Sequence, residues 1–456
     1  NSLAIEEVVV TARKQEESAQ DIPVSITALS AELKNSSIRN LTDITGYAPN
    51  VIISEDGGRG GGGANITIRG ISPTRSDDNS LDAPVAVVVD DIYLGTLAGQ
   101  VMENFDLERV EVLRGPQGTL FGKNTVGGVI NVIRSRPTGE FGGKFKLTSG
   151  NDGQREMRGV LNTALTDTLA AKFFFTDISY DGFISNTTTG NDAGDRDYQN
   201  YGVTFLWEPT DRFDALLTVE QFRDEGTLNS NQVSYNVAPG VLPAPPAGSP
   251  ENNYSAGFLN CTVFGPANGL DVCRNSLKTP GSSTNDKDND FLLETDALTL
   301  KMSYELNDNM TLVSITGYRD VVEERFYDYD ASAAPFITID RDNVYTQKSQ
   351  EFRLDGNWET VTLSAGLYWF ESDFTQDWAT GDGFWNFLFG AIVADPALYA
   401  ICNDGAFGNI RCDPGIDSIP LEENVSQILY ENQVTTSYAA YAQADWQFAE
   451  DWTLTA

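Results

Sequence analysis

The sequence predicts a mainly β chain: a membrane-type antiparallel β-barrel region behind a small mixed α/β domain. Three observations predict it. From Phe141 onward, segments alternate apolar and polar residues with a period of two. The connections between these segments alternate between tight polar turns and very long loops. Aromatic residues recur near the segment ends, as an interfacial girdle requires.

The elements follow in chain order. Residues 1–20 are polar apart from a short β-branched run at 5–12. Residues 21–137 read as one compact domain. Val24, Ile26 and Ala28 alternate with Ser25, Thr27 and Leu29 as in a strand, and Ser30 is placed to cap a helix starting at Ala31. A second helical stretch from Leu41 should stop before Pro49. Strands are expected at 65–69, 85–89, 109–113 and 128–133. The stretch 57–63 holds six glycines and Arg59. No Lys-Ser/Thr pair or helix start follows it, so it reads as a flexible loop and not a phosphate cradle.

Residues 138–456 carry the barrel pattern. Tyr201, Val203, Phe205 and Trp207 share one face, and so do Leu298, Leu300, Met302, Tyr304 and Leu306. Tyr438, Ala440, Ala442, Ala444, Trp446 and Phe448 do the same. Tight turns fall at 166–168, 209–211, 307–309 and 450–451, and long connections at 182–196, 226–288, 325–343 and 377–431. About ten strands result, with an eleventh begun at Trp452. A barrel of eight strands is filled by its own side chains, so enclosing the preceding domain needs about twice as many strands as these. The chain is therefore expected to be part of a longer barrel.

Composition narrows the function. The net charge is −36 and there is no histidine. Nucleic acid is excluded as a partner, because a phosphate backbone needs a basic surface. The commonest metal ligand and general base are missing. No carboxylate pair, nucleophile–base set or metal-spaced cluster suggests an enzyme, a metal site or a bound cofactor. The four cysteines form two close pairs, Cys261 with Cys273 and Cys402 with Cys412, in loop-like sequence. Two loop disulfides in an oxidising compartment fit this spacing, with unrelated thiols as the alternative.

Motifs then bring in a family. Glu6-Glu7-Val8-Val9-Val10-Thr11-Ala12-Arg13 resembles the TonB box of TonB-dependent outer-membrane receptors. Ile66-Thr67-Ile68-Arg69-Gly70 and the run from Val85 to Tyr93 resemble two strands of their plug domain, with Asp91 where the family often has glycine. The stretch LERVEVLRGPQGTLFGKNTVGGVINVIRSRP, from Leu107 to Pro137, is similar to the plug signature along its whole length. The four motifs stand in the family's order over residues 5–137. The later strands are similar in pattern only.

The resemblance implies a barrel of about 22 strands in a complete member, of which 10–11 are present, enclosing a plug. It implies a mobile tail over 1–20 whose residues Glu7, Val8, Val9, Val10, Thr11 and Ala12 bind TonB by strand addition, with ExbB and ExbD behind it in the inner membrane. An ordinary edge strand is the bland alternative for that run. It implies outward plug loops bearing Arg59, Arg75, Ser76, Asp77, Asp78 and Tyr93 toward a small ligand such as a metal chelate. The loop aromatics Trp378, Phe384 and Trp385 either join them as a platform or pack on themselves. Glu108, Arg109, Glu111 and Arg114 are expected to make polar contacts between plug and barrel, the alternative being a solvated face. The implied role is energy-coupled import of a scarce nutrient across the outer membrane, with outer-membrane lipid around the barrel and the plug and box reaching the periplasm. A ferric siderophore is the first expectation. Oligosaccharides, cobalamin and small aromatic compounds are the alternatives. A signalling receptor would carry an extra domain before the box, and a passive porin would need neither plug nor box.

Overall fold

The structure is a computed structural model that describes residues 9–11, 13–15, 17–20, 22–30, 32–33, 38, 40–55, 63–74, 82–101, 105–228, 282–283, 285, 287–328, 338–381, 427–450 and 452–456. The first strands are β1 (Val9–Val10) and β2 (Glu17–Ser18), which pair antiparallel with Val9 opposite Ser18. They are followed by β3 (Ile26–Leu29) and a single 3-10 turn at Leu41–Ile44. Asn40 caps that turn by accepting a hydrogen bond from the Thr42 amide at 2.9 Å.

A hairpin of β4 (Val51–Glu55) and β5 (Ala64–Ile68) comes next. Then come β6 (Val85–Val89), β7 (Ile92–Tyr93), β8 (Leu107–Arg114) and β9 (Gly128–Arg134). These four and β3 form one sheet in the order β3-β8-β9-β6-β7, in which only β6 and β9 run parallel. Every residue of β6 is buried, which explains its unbroken Val-Ala-Val-Val-Val run. Val85, Val87 and Val89 face the domain's main core with Ile66, Ile68 and Val112. Ala86 and Val88 face the other way, toward Val10, Val129 and Phe370. The second face thus meets both the N-terminal segment and a residue far along the chain.

That distant residue belongs to the wall. Its strands are β10 (Gly142–Ser149), β11 (Arg155–Thr166) and β12 (Leu169–Tyr180). After two short strands, β13 (Ile184–Asn186) and β14 (Asp192–Ala193), the wall resumes with β15 (Arg196–Thr210) and β16 (Phe213–Thr227). Beyond β17 (Ser282–Ser283) lie β18 (Asp290–Asn307), β19 (Met310–Asp328) and β20 (Thr338–Asn357). β21 (Val361–Gly381), β22 (Gln427–Ala449) and β23 (Trp452–Thr455) complete it. Eleven of these form a single antiparallel meander, β10-β11-β12-β15-β16-β18-β19-β20-β21-β22-β23, and β13, β14 and β17 make a small separate sheet.

The wall is inverted relative to a soluble sheet. Phe145, Leu161, Phe173, Trp207, Leu367 and Tyr438 stand exposed on one side, while Lys172, Arg319, Glu323, Arg341 and Gln347 are buried on the other. Apolar residues outward and charges inward fit a wall whose outer solvent is lipid. Tight turns close β11 to β12, β15 to β16, β18 to β19 and β22 to β23, where the sequence placed them. Phe370 projects inward from β21 and meets Tyr93 edge-on, with ring centroids 5.8 Å apart. The small domain is therefore seated against the polar face of the wall.

Candidate functional site at the seam of plug and wall

Residues 9–11 and 13–15, within the stretch read as a mobile tail, are docked. Val10 is fully buried and Val9 is exposed. The Thr11 amide donates to Glu111 Oε1 at 2.7 Å, and the Thr11 hydroxyl donates to the same oxygen at 3.2 Å. Arg109 joins them, with Nε on Glu111 Oε1 at 2.8 Å and Nη2 on the Thr11 hydroxyl at 3.2 Å. Asn131 donates to the other Glu111 oxygen at 3.1 Å. A fully buried carboxylate is tolerated here because four donors satisfy it. Glu7, Val8 and Ala12 lie outside the described residues.

Past Thr11 the segment reaches the wall. Arg13 pairs with Asp445 of β22 at 2.6 Å, and the Gln15 amide donates to the Leu363 carbonyl of β21 at 3.0 Å. Lys14 approaches Asp91 at 3.2 Å, and Lys301 of β18 holds the other Asp91 oxygen at 2.7 Å. Asp91 lies in the turn between β6 and β7, where Asp90 and Asp91 both have positive φ, 47° and 71°. That is the two-residue hairpin conformation that normally favours glycine. Burial opposes ionisation of Asp91, but Lys301, Lys14 and Arg353 outweigh it and hold its carboxyl well below the usual range.

Further ion pairs cross the seam. Arg134, at the end of β9, bridges Asp90 of the small domain and Glu220 of β16, each at 2.6 Å. Burial works against the Arg134 charge, yet the two carboxylates raise its pKa further above the guanidinium range. Arg136 meets Asp214 at 2.9 Å, and the buried Lys172 pairs with Asp106 and also donates to the Ser135 carbonyl. These ion pairs hold the domain against the wall.

The segment 93–101 fills the space above them. Gln347 of β20 donates to the Tyr93 carbonyl at 2.7 Å and accepts from the Gly95 amide at 2.9 Å. Arg319 of β19 donates to the Gly99 carbonyl at 3.2 Å. Ala98 sits among Tyr198, Phe222, Tyr345 and Phe374 of the wall.

Two expectations are corrected by this geometry. Among the described residues, Glu108, Arg109, Glu111 and Arg114 make no hydrogen bond or ion pair with the wall. Their strand, β8, lies between β3 and β9, so their side chains meet the domain itself and the N-terminal segment. Glu108 pairs with Arg109, and Arg114 donates to the Pro49 carbonyl at 3.3 Å. The seam is built instead by Asp91, Asp106, Arg134 and Arg136. Tyr93 does not face an open vestibule. It is buried against Phe370, its hydroxyl accepts from Asn124 at 2.7 Å, and burial pushes its phenol pKa upward.

Trp378 stands on the inward side of β21, level with Arg341 of β20 and Leu429 of β22. Arg59, Arg75, Ser76, Asp77, Asp78, Phe384, Trp385 and all four cysteines lie outside the described residues. Of the seam residues, Asp91 alone carried a signal in the sequence, as the departure from a glycine. For the rest, spacing shows that a charge is on a strand but not which neighbour it will meet.

A family model described as the TonB-dependent Receptor Plug Domain matches residues 18–129. Residues 18–129 are therefore a plug domain of the TonB-dependent receptor type. The plug is thus the small domain, and the wall has the antiparallel pattern of a membrane barrel, with tight turns at one end. Among curated relatives, the vitamin B12 transporter BtuB of Vibrio vulnificus is 32% identical over 33% of this chain and 24% of its own length. The pesticin receptor of Yersinia pestis is 35% identical over 28% and 19%. In structure, the ferric yersiniabactin uptake receptor FyuA of Yersinia pestis has a TM-score of 0.68 at 18% identity, covering 95% of this chain and 55% of that one. The ferripyoverdine receptor of Pseudomonas aeruginosa gives 0.68 at 15%, covering 98% and 53%. These structural likenesses establish the fold. The chain spans about half the length of the solved receptors it matches.

Proposed function

We propose that this receptor imports a small extracellular ligand, a ferric siderophore first, by TonB-coupled movement of its plug and without enzymatic chemistry. The observation that carries this reading is the docking of residues 9–11 and 13–15, which touch plug and wall together. Thr11 sits on Glu111, Lys14 on Asp91, and Arg13 on Asp445. β1 has β2 as its single neighbour strand among the described residues, so its other edge is open to strand addition by the periplasmic end of TonB, with ExbB and ExbD supplying the force. A pull there acts first on the ion pairs that seat the plug. The substrate reading is supported by two similar structures, named as a ferric yersiniabactin uptake receptor and a ferripyoverdine receptor. The similarity to vitamin B12 transporters keeps cobalamin as the second reading.

The test is uptake by cells carrying the complete receptor, comparing wild type with Val9→Pro, which removes a backbone donor from the box. Iron chelates, cobalamin, oligosaccharides and aromatic acids are screened at low and high iron. Val9→Pro should bind the ligand and fail to import it. Equal import by both forms would refute the coupling.

A further inference from the structure

Among the inward arginines of the wall, one is bonded differently. Arg196 pairs with Asp224, Arg325 with Glu323, and Arg353 with Glu351 and Asp355. Arg319, midway along β19, has no salt bridge among the described residues. It is 5% exposed, its Nε has no partner, and its single hydrogen bond goes to the Gly99 carbonyl. A buried guanidinium bonded to one neutral acceptor, with Glu220 acting on it only from beyond salt-bridge distance, is under-compensated. Its surroundings are aromatic. The guanidinium lies over the Phe222 ring at 5.8 Å, Phe222 stacks on Tyr198 at 6.2 Å, and Tyr345 meets Phe374 at 6.4 Å.

The cover of this patch is held by its backbone. Two wall donors, Arg319 and Gln347, are each capped by a carbonyl oxygen, of Gly99 and Tyr93. Gly99, at φ 72°, comes so close that a Cβ there would lie 2.8 Å from Arg319 Nη2 and 3.0 Å from Phe222. A Cβ at Gly95 would lie 2.0 Å from the Tyr345 hydroxyl. Ala98 fills the gap between the rings. Lifting this one segment uncovers two donors and four rings together.

We propose that the wall patch beneath residues 93–101, centred on Arg319, is a second ligand station that takes an aromatic oxyanion: a phenolate, catecholate or benzoate group. The proposal rests on the transport reading, since the station opens only when the plug moves. An anionic oxygen replaces the Gly99 carbonyl and supplies the charge that Arg319 lacks, in a stronger, charge-assisted bond. A second ligand oxygen replaces the Tyr93 carbonyl on Gln347. The flat ring enters the space vacated by Ala98, against Phe222 and Tyr345.

The test uses the purified complete receptor and needs no transport, so it stands apart from the uptake experiment. Two variants remove the cover: Gly95→Leu, which cannot seat against Tyr345, and replacement of residues 95–99 by a Gly-Ser link. The probe is 2,3-dihydroxybenzoate, measured by calorimetry, with neutral catechol beside it. Both variants should gain a site absent from wild type. Adding Arg319→Gln should weaken that site by about tenfold or more, and catechol should bind it several-fold more weakly than the anion. Absence of a new site in the Gly-Ser variant, or a site indifferent to Arg319→Gln, would overturn the proposal.

Discussion

The Lys14 ammonium stands 3.2 Å from the Asp91 carboxylate, whose second oxygen is held at 2.7 Å by Lys301 of the barrel. One side chain of the plug thus joins the N-terminal segment to the wall. Asp91 holds this position at a φ of 71°, where a residue other than glycine is strained by about 1 kcal/mol. Asp91→Gly should relieve the strain and Asp91→Asn should keep it. Both should release residues 9–18, seen as several-fold faster amide exchange in that segment. Release by neither would assign the docking to Thr11 and Arg13.

The same carboxylate sets a pH dependence. Its pKa is lowered on folding by Lys301, Lys14 and Arg353 against the opposing effect of burial. Its contribution is complete above the unfolded carboxyl range, about pH 4, and is lost as pH falls through the lower folded value. Exchange protection of residues 9–18 should therefore be flat from neutral pH down to about pH 5 and should fail only below about pH 4. Asp91→Asn should show no such step. Loss of protection near neutral pH in wild type would contradict this assignment.

Glu111 accepts from Thr11, Arg109 and Asn131 with no exposed surface. Glu111→Gln places an amide among donors and leaves Arg109 with the half-exposed Glu108 as its carboxylate partner. The plug should lose roughly 2–4 kcal/mol of stability. Limited proteolysis of the plug inside an intact barrel is the readout, and unchanged protease resistance would rule out this account.

Leu367 is 62% exposed on the outward side of β21, beside Phe352 and Tyr438. Leu367→Arg should destabilise the barrel by about 2–4 kcal/mol if this face lies at the bilayer midplane, and by less near an interface. Folding titrations in lipid vesicles measure the difference, while the inward Ser372→Arg serves as a comparison at lumen depth. No effect would move Leu367 out of the lipid-facing band.

Much of this fold could be read before any coordinates. The run 85–89 forms β6 with the bounds expected, and Tyr201 through Trp207 share a face because a strand imposes a period of two. The tight turns were legible because Asp and Asn adopt turn conformations that interior strand residues avoid. The seam was not legible. Alternation assigns Glu111 and Arg109 to one side of β8, but only the sheet order β3-β8-β9-β6-β7 decides that this side meets Thr11 and not the wall. Tyr93 was misplaced for a related reason: a loop between strands reads as exposed whether or not a second domain closes over it.

The long strands of the wall carry a consequence for how the charge of −36 is felt. β18 to β21 run 18 to 21 residues, about twice the length that crosses a bilayer. On the half toward the long connections, Asp296, Glu324, Asp340, Asp342, Asp373 and Asp377 are exposed, while the residues alternating with them are buried. Opposite them, in the bore, Arg325 and Arg341 surround the buried Glu323, and Arg319 stands below them. Screening in physiological salt extends about 8 Å, so the outer carboxylates reach little across the wall. The molecule is an acidic sleeve around a lining of paired charges, and its isoelectric point describes the sleeve. An anion repelled at the rim meets balanced charge once inside, so attraction should begin only at the depth of Arg319 and not with distance of approach.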